Sequence, residues 1–312
     1  MTDNKNIQNG LVPSNVAAEA LRAKAVYGVP ISVANGIDVL LADNSKDYTG
    51  PGTNTYIVGD EDVWIIDPGP DDDEHVAVVA DAVAGRPVAG ILVTHSHLDH
   101  SPAARQLQAH TSAPIYGHGG LPTELLAASE EDIDIDFAPD HSLLGGETLG
   151  DGAWRLQALH TPGHFPNHLC YLLPEKNILF SGDHVMGWST TVIVPPLGNL
   201  ADYMDSLVVM KHAGAQRLMP SHGDPVDDAS ARIEEIRAHR MMRQEQVEGL
   251  LREGQIDPAT IVEILYQGLT PRLVQAAKGC VQAHIDYSSA RMGFSGPAAK
   301  DARAKGSRSA FS

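Results

Sequence analysis

The chain has only two cysteines, Cys170 and Cys280, and neither has a partner nearby in the sequence. A disulfide framework and a cysteine-rich zinc cluster are therefore excluded. No run of 18 apolar residues occurs, which argues against a membrane-spanning helix, and the first ten residues are polar where a secretory signal has an apolar segment. We therefore expect a cytoplasmic protein that does not enter the membrane.

Positive charge is also scarce. The 312 residues include 22 Lys and Arg against 40 Asp and Glu, a formal net charge of −18, and the acidic excess lies in residues 1–230. Residues 231–292 are balanced, and residues 293–312 carry a small basic excess. Because a general grip on nucleic acid needs a basic surface, the acidic body is not expected to bind RNA along a broad track.

Short apolar segments between turn residues predict an α/β fold. Segments 55–58 and 63–66 predict a hairpin, and segment 90–94 predicts a buried strand. Ser101 before Pro102 is typical of a helix start. Further helices and strands are predicted at 75–83, 103–110, 114–116, 154–159, 169–173, 177–180 and 217–219. The pattern favours two packed sheets with outer helices over a strictly parallel βαβ arrangement.

The sequence becomes helical after residue 230. Three helices are predicted at 232–251, 259–266 and 271–287, and the first of them has apolar positions at Ile233, Ile236, Met241, Val247 and Leu250. We predict an N-terminal extension (1–28), a catalytic domain (29–228), a small helical module (229–292) and a disordered tail (293–312).

The most informative segment is 95–100, with the pattern His-x-His-x-Asp-His directly after a predicted strand. His95 and His97 are two apart in an extended segment, so their side chains point the same way. Asp99 and His100 fall in the following turn. Such a turn can direct two ligands at one cation and two at its neighbour, and imidazole with carboxylate suits divalent zinc, iron or manganese.

Three more candidate ligands follow predicted strands or tight turns. They are His164 after Thr-Pro-Gly, Asp183 after Phe-Ser-Gly, and His222 after Met-Pro-Ser. Each alone is a weak signal, because a histidine after a turn is usually a surface residue. Their occurrence in this order after the His-rich segment strengthens the prediction of a metal site.

This combination resembles the metallo-β-lactamase superfamily, over roughly residues 30–225. The resemblance implies an αββα sandwich with a dinuclear site at one edge of the sheets. It implies that the first metal is bound by His95, His97 and His164. It implies that the second is bound by Asp99, His100 and His222, with Asp183 bridging both. Zinc is the default metal, with iron or manganese as alternatives.

Segments 48–56, 182–191 and 203–207 resemble a narrower branch, which includes beta-lactamase-like protein 2 and glyoxalase II-like hydrolases. This resemblance implies a winged-helix-like character for the C-terminal module, although little sign of a β-wing follows Met292. Asp183, at a position where the antibiotic-hydrolysing enzymes build a different second site, argues against a true β-lactamase.

Two divalent cations that share one water lower its pKa toward neutrality, so no serine or cysteine nucleophile is needed. We therefore expect a hydrolase that uses a metal-bridging hydroxide on an ester, thioester or lactone of a small anionic molecule, with Asp99 and Asp183 in the catalytic centre. The alternatives are a single-strand endoribonuclease with the same metals and a non-catalytic metal-binding scaffold. The oligomeric state is not predicted.

Two residues outside the ligand set have open roles. His168 is a candidate proton donor to the leaving group, with a hydrogen-bonded structural histidine as the alternative. Asp67, at the end of segment 63–66, either accepts a hydrogen bond from a ligand histidine or belongs to a plain Asp-Pro-Gly turn.

Overall fold

The computed structural model describes residues 15–129, 131–266 and 268–292, and two β-sheets form its centre. The first sheet has its strands in chain order: β1 (Ile31–Ala34), β2 (Ile37–Leu41), β3 (Asn54–Val58), β4 (Val63–Ile66), β5 (Val88–Leu92), β6 (Ile115–Gly117) and β7 (His141–Ser142). The second has the order β12-β11-β10-β9-β8, with β8 (Thr148–Leu149), β9 (Leu156–His160), β10 (Leu169–Leu173), β11 (Ile178–Gly182) and β12 (Arg217–Pro220).

The central strands are covered on both faces. In β3, Tyr56 and Val58 belong to the core between the sheets, while Ile57 belongs to the core beneath the outer helices. In β10, Tyr171 and Cys170 divide in the same way between the inner core and the opposite outer core. Alternate residues of a strand point to opposite faces, so a strand buried on both sides has a continuous apolar sequence.

The α-helices of the described residues are α1 (Asn15–Arg22), α2 (Asp73–Val83), α3 (Ala103–Thr111), α4 (Thr123–Ala127), α5 (Leu200–His212), α6 (Ala229–Arg252), α7 (Pro258–Leu265) and α8 (Pro271–Met292). Five of them cover the outer faces of the sheets. Helices α2 and α3 pack on the first sheet, and α5, α6 and α8 pack on the second. The predicted αββα sandwich is therefore confirmed.

The start of α3 differs from the prediction. Pro102 occupies the capping position and makes no side-chain cap bond. The Ser101 hydroxyl instead donates to Asp134 Oδ2 at 2.7 Å, so it joins the His-rich turn to loop 131–137. The prediction of Ser101 as the N-cap was wrong because a distant carboxylate competes for its hydroxyl.

The long helix α6 contributes to two cores. Ile233 and Ile236 pack beneath the second sheet, whereas Val247 packs in a separate core with α7 and α8. Met241, predicted on the apolar face, is 36% exposed. The division of the chain into domains at residue 229 stays a prediction, because α6 begins at that residue and then packs in both cores.

Beyond β12, the described part of the chain contains three helices and no strand. The helical character of the C-terminal module is thus confirmed, and its winged-helix character stays a prediction. Residues 1–14 and the tail 293–312, predicted to be disordered, lie outside the described residues. Within the described ranges, no helix combines the length and apolar character needed to cross a membrane.

Candidate metal centre

The predicted ligands come together at one edge of the two sheets. The segment after β5 supplies His95, His97, Asp99 and His100, and the segments after β9, β11 and β12 supply His164, Asp183 and His222. Their ligand atoms form three groups in which all atoms lie within 4.8 Å of one another: His95, His97 and His164; His95, His100 and Asp183; Asp99, His100 and His222. The structure thus brings all seven predicted ligands to one place.

Asp183 lies between the two predicted ligand sets. Its Oδ2 is 3.8 Å from His164 Nε2, in the set predicted for the first metal. Its Oδ1 is 3.2 Å from His222 Nε2, in the set predicted for the second. The exposed fraction of the Asp183 side chain is only 7%. This position is the one that a bridging carboxylate needs.

Hydrogen bonds fix which nitrogen of each imidazole faces the centre. His164 Nδ1 donates to the Val192 carbonyl oxygen at 2.7 Å, and His222 Nδ1 donates to the Gly52 carbonyl oxygen at 3.1 Å. His100 Nδ1 donates to Asp67 Oδ2 at 3.0 Å. Because these oxygens can only accept, Nδ1 carries the proton in each ring. Each Nε2 therefore presents a lone pair when the ring is neutral.

The hydrogen bonds of His95 and His97 likewise show which ring nitrogen carries the proton. Thr94 Oγ1 donates to Asp67 Oδ2, so it accepts from His95 Nδ1, and His97 Nε2 donates to Glu131 Oε2 at 3.2 Å. The nitrogens left, His95 Nε2 and His97 Nδ1, lie 2.8 Å apart with a lone pair each in the neutral rings. Two facing lone pairs at this distance repel each other unless a proton or a cation lies between them.

The two predicted sets differ in electrostatics. Burial lowers the pKa of His95 well below its usual value, and the neighbouring His100 and His97 lower it further. Burial also lowers the pKa of His164. For His222 burial acts in the same direction, but Asp183 and Asp99 outweigh it and raise the pKa to about 10. Asp99, Asp183 and Asp67 likewise raise the pKa of His100 well above its usual value.

These residues fit divalent cations. His100 Nε2, His164 Nε2 and Asp183 Oδ1 are buried, and none makes a well-aligned hydrogen bond within the described residues, although His222 Nε2 lies 3.2 Å from Asp183 Oδ1. Buried polar atoms are normally paired, so three ligand atoms without such a bond at one point indicate a missing partner. The surrounding carboxylates require positive charge, and His95 and His164, whose pKa values are lowered, offer lone pairs. Metal ions meet both requirements at once.

Asp67 holds His100 in position, and it also binds Thr94 and Ser221, the residues that precede His95 and His222. Its carboxylate is fully buried and accepts from the Thr94 backbone N–H at 2.8 Å and from Ser221 Oγ at 2.6 Å, in addition to Thr94 Oγ1 and His100 Nδ1. Its backbone has a positive φ of 49°, which Asp tolerates better than most residues. Of the two alternatives for Asp67, the hydrogen bond to a ligand histidine is the observed one.

His168, the predicted proton donor, is fully buried behind Asp183. Its Nε2 accepts from the Asp183 backbone N–H at 3.2 Å, so Nδ1 carries the proton and donates to Thr161 Oγ1 at 2.9 Å. Burial lowers the pKa of His168 well below its usual value, so the ring stays neutral. With no exposed surface and both nitrogens bonded, His168 is placed to position Asp183 rather than to donate a proton to substrate.

Sequence reasoning missed two groups. Glu131 fixes the orientation of His97, as described above, and a lone acidic residue in a loop gives no signal of such a role. The second is Arg240 on α6, which is 1% exposed and donates through Nη2 to the Thr191 carbonyl oxygen. The Thr191 hydroxyl lies 3.1 Å from His164 Nδ1. The C-terminal helices are thereby linked to a predicted metal ligand.

Several known proteins are similar to this chain in sequence or in fold. A protein from Aspergillus chevalieri named atrochrysone carboxyl ACP thioesterase is 31% identical over 79% of this chain and 74% of its own length. A beta-lactamase-like protein 2 homolog from Caenorhabditis elegans is 30% identical over 71% of this chain and 72% of its own. A solved beta-lactamase domain protein from Burkholderia ambifaria shares the fold, with a TM-score of 0.72 at 24% identity, over 85% of this chain and 90% of its own.

The family model described as the metallo-beta-lactamase superfamily matches residues 48–222, a range that contains all seven predicted ligands. The predicted resemblance is therefore confirmed. With the sandwich, the ligand cluster and these relatives in agreement, the chain belongs to the metallo-β-lactamase superfamily and is a hydrolase of that fold.

Proposed function

We propose that the chain is a dinuclear, metal-dependent thioester hydrolase that acts on a small molecule. The observation that carries this proposal is the convergence of imidazole and carboxylate lone pairs, with Asp183 between the two predicted ligand sets. The thioester is favoured over an ester or a lactone because relatives at about 30% identity are named thioesterases. Zinc is the proposed metal, with iron or manganese as alternatives for this all-nitrogen-and-oxygen ligand set.

The proposed first metal ligands are His95, His97 and His164, and the second are Asp99, His100 and His222, with Asp183 shared. When bound, such a pair of cations supplies an activated water and polarises the acyl oxygen. The protein holds Nε2 or Nδ1 of each imidazole toward the centre through the hydrogen bonds described above. His97 and Asp99 are partly exposed, with 12% and 25% of their side chains accessible, so substrate approaches the centre from their side.

The chain supplies fixed charge to the reaction. Burial raises the pKa of the Asp183 carboxyl, but His222 and His100 outweigh it and hold that pKa well below its usual range. The carboxylate is thus ionised throughout the neutral pH range and is available both to hold cations and to accept a hydrogen bond from the attacking water. No side-chain nucleophile is needed in this arrangement.

The test is metal analysis and a substrate panel on protein purified without chelators. We expect about two zinc ions per chain, hydrolysis of acyl thioesters that depends weakly on salt, and loss of hydrolysis after chelation with recovery on adding zinc. The panel also contains a lactone, nitrocefin and single-stranded RNA.

The same panel separates the alternatives. RNA cleavage with a steep salt dependence would replace the proposal with the endoribonuclease function. Metal-loaded protein that hydrolyses none of the substrates would favour the scaffold. The cytoplasmic location predicted from the sequence stays a prediction.

A further inference from the structure

Asp99 is the least buried of the seven predicted ligands. Its side chain is 25% exposed, against 12% for His97 and less for the other five. Asp99 Oδ2 lies 3.2 Å from His222 Nε2 and 3.4 Å from His100 Nε2. Both nitrogens are committed to a cation in the proposed centre. Because ligating carboxylates are normally hydrogen-bonded in turn, Asp99 needs a partner outside the ligand set.

The Thr53 hydroxyl is such a partner. Thr53 Oγ1 lies 3.3 Å from Asp99 Oδ2, the same oxygen that faces the two histidines. Thr53 has no exposed surface, so solvent does not compete for its hydroxyl. Among the described residues, no other group outside the predicted ligands makes a hydrogen bond to the Asp99 carboxylate.

Asn44 fixes the direction of this hydrogen bond. The Thr53 backbone N–H donates to Asn44 Oδ1 at 2.9 Å, which turns Asn44 Nδ2 toward Thr53 Oγ1, also at 2.9 Å. An amide nitrogen can only donate, so Thr53 Oγ1 accepts from Asn44 and directs its own proton to Asp99 Oδ2. The hydroxyl is therefore a donor of fixed direction.

The loop that carries Thr53 also holds His222. The neighbouring Gly52 carbonyl oxygen accepts from His222 Nδ1 at 3.1 Å. Gly52 has a positive φ of 153°, and a Cβ atom there would lie 2.0 Å from the Ala42 carbonyl oxygen, so a larger residue does not fit this backbone. Two adjacent residues thus hold two of the ligands predicted for the second metal.

We propose that Thr53, oriented by Asn44, is a positioning residue that holds Asp99 in place for the second metal. This inference rests on the proposed dinuclear centre. Loss of the hydroxyl leaves Asp99 free to rotate toward solvent on its exposed side, while the histidines of the first set keep their own hydrogen bonds. Retention of the second cation therefore depends on Thr53, and retention of the first does not.

The test is Thr53→Val, which keeps the shape of the side chain and removes its hydroxyl. Zinc binding is measured by competition with a chromogenic chelator, and anomalous scattering from crystals grown at limiting zinc shows which position is occupied. We expect the affinity for the second zinc to fall about tenfold or more, and that for the first to stay within twofold of the parent. Thr53→Ser keeps a hydroxyl and is expected to recover most of the affinity.

Thr55→Val is the matched control. Thr55 is also fully buried, and its hydroxyl bonds to His75 Nε2 at 2.9 Å rather than to a predicted ligand. We expect a comparable loss of stability in urea denaturation, with both zinc affinities within twofold of the parent. An equal loss of second-zinc affinity in Thr55→Val would refute the inference, because the effect would then follow from stability alone.

Asn44→Ala remains informative if Thr53→Val does not fold. It removes the donor that fixes the direction of the Thr53 hydroxyl, so we expect the affinity for the second zinc to fall by a smaller factor, about threefold. Unchanged affinity in a folded variant at either position, with zinc at both positions of the parent, would overturn this inference alone. A parent protein that holds no zinc at Asp99, His100 and His222 would contradict the proposed dinuclear centre and this inference with it.

Discussion

Both predicted ligand sets contain histidines, but the electrostatic surroundings of these histidines are opposite. The first, His95, His97 and His164, has three imidazoles, and burial lowers the pKa of His95 and of His164. In the second, carboxylates outweigh burial and raise the pKa of His222 to about 10. Burial therefore dominates the electrostatics at two histidines of the first set, carboxylates dominate in the second, and Asp183 lies between the two sets.

The largest expected effect comes from replacing Asp183, the carboxylate between the two sets. In Asp183→Asn we expect kcat/KM to fall about 10³-fold or more and bound zinc to fall below two per chain, because both sets lose a ligand and a charge. Activity and metal content are measured on the same preparation. Asp205→Asn, an exposed carboxylate on α5, is the matched control. Full turnover with full metal content in Asp183→Asn would refute the bridging role.

The second prediction concerns the pH dependence of the stability of the metal-free protein. His222 has a folded pKa of about 10 against 6.5 for the free side chain, so its protonation stabilises the fold fully below pH 6.5. That contribution is lost as the pH rises toward 10, and we expect a decrease of roughly 1–3 kcal/mol in the free energy of unfolding. Urea denaturation with a chelator present, from pH 6 to 10, measures it.

Two comparisons make this pH test specific to the second set. His222→Gln is expected to show a shallower decrease, and zinc-loaded parent protein is expected to show little, because the cation then replaces the proton. The same slope in the parent, the variant and the loaded protein would show that other groups cause the pH dependence.

The smallest predicted effect concerns the first set alone. In Arg240→Met the Thr191 carbonyl oxygen loses its donor, and we expect zinc affinity to fall about tenfold through His164. Competition with a chromogenic chelator measures the affinity. Arg240→Lys keeps a donor and should recover part of it, and Arg237→Met, on the exposed side of the same helix, should not change it. Unchanged affinity in Arg240→Met would mean that Arg240 serves the fold only.

Much of the centre could be predicted from the sequence because its ligands are either contiguous or follow strands. Residues 95–100 lie together in the connection between β5 and α3, and segments after neighbouring strands meet at one edge of a sandwich. Glu131 and Thr191 could not be predicted, since their roles depend on a single hydrogen bond across a sequence-distant contact. Such contacts leave no periodic pattern in the chain.

The buried face of the long helix α6 could not be predicted from hydrophobicity. Hydrophobicity predicted Met241 on its packed face, whereas the structure leaves Met241 at the surface and buries Arg240 and Arg243. The two guanidinium groups lie over the rings of Tyr203 and Tyr266, at 5.2 and 4.3 Å from the ring centroids. A scale that ranks arginine as a surface residue cannot anticipate burial through aromatic contacts from other elements.

The membership of α6 in two cores has a consequence for how the protein can be divided. A truncation after β12 would strip Ile233 and Ile236 from the outer face of the second sheet and leave that apolar surface exposed to water. The sandwich is therefore not expected to fold without helices α6 to α8. We expect the sandwich and its terminal helices to melt in one cooperative transition and to be inherited as one unit.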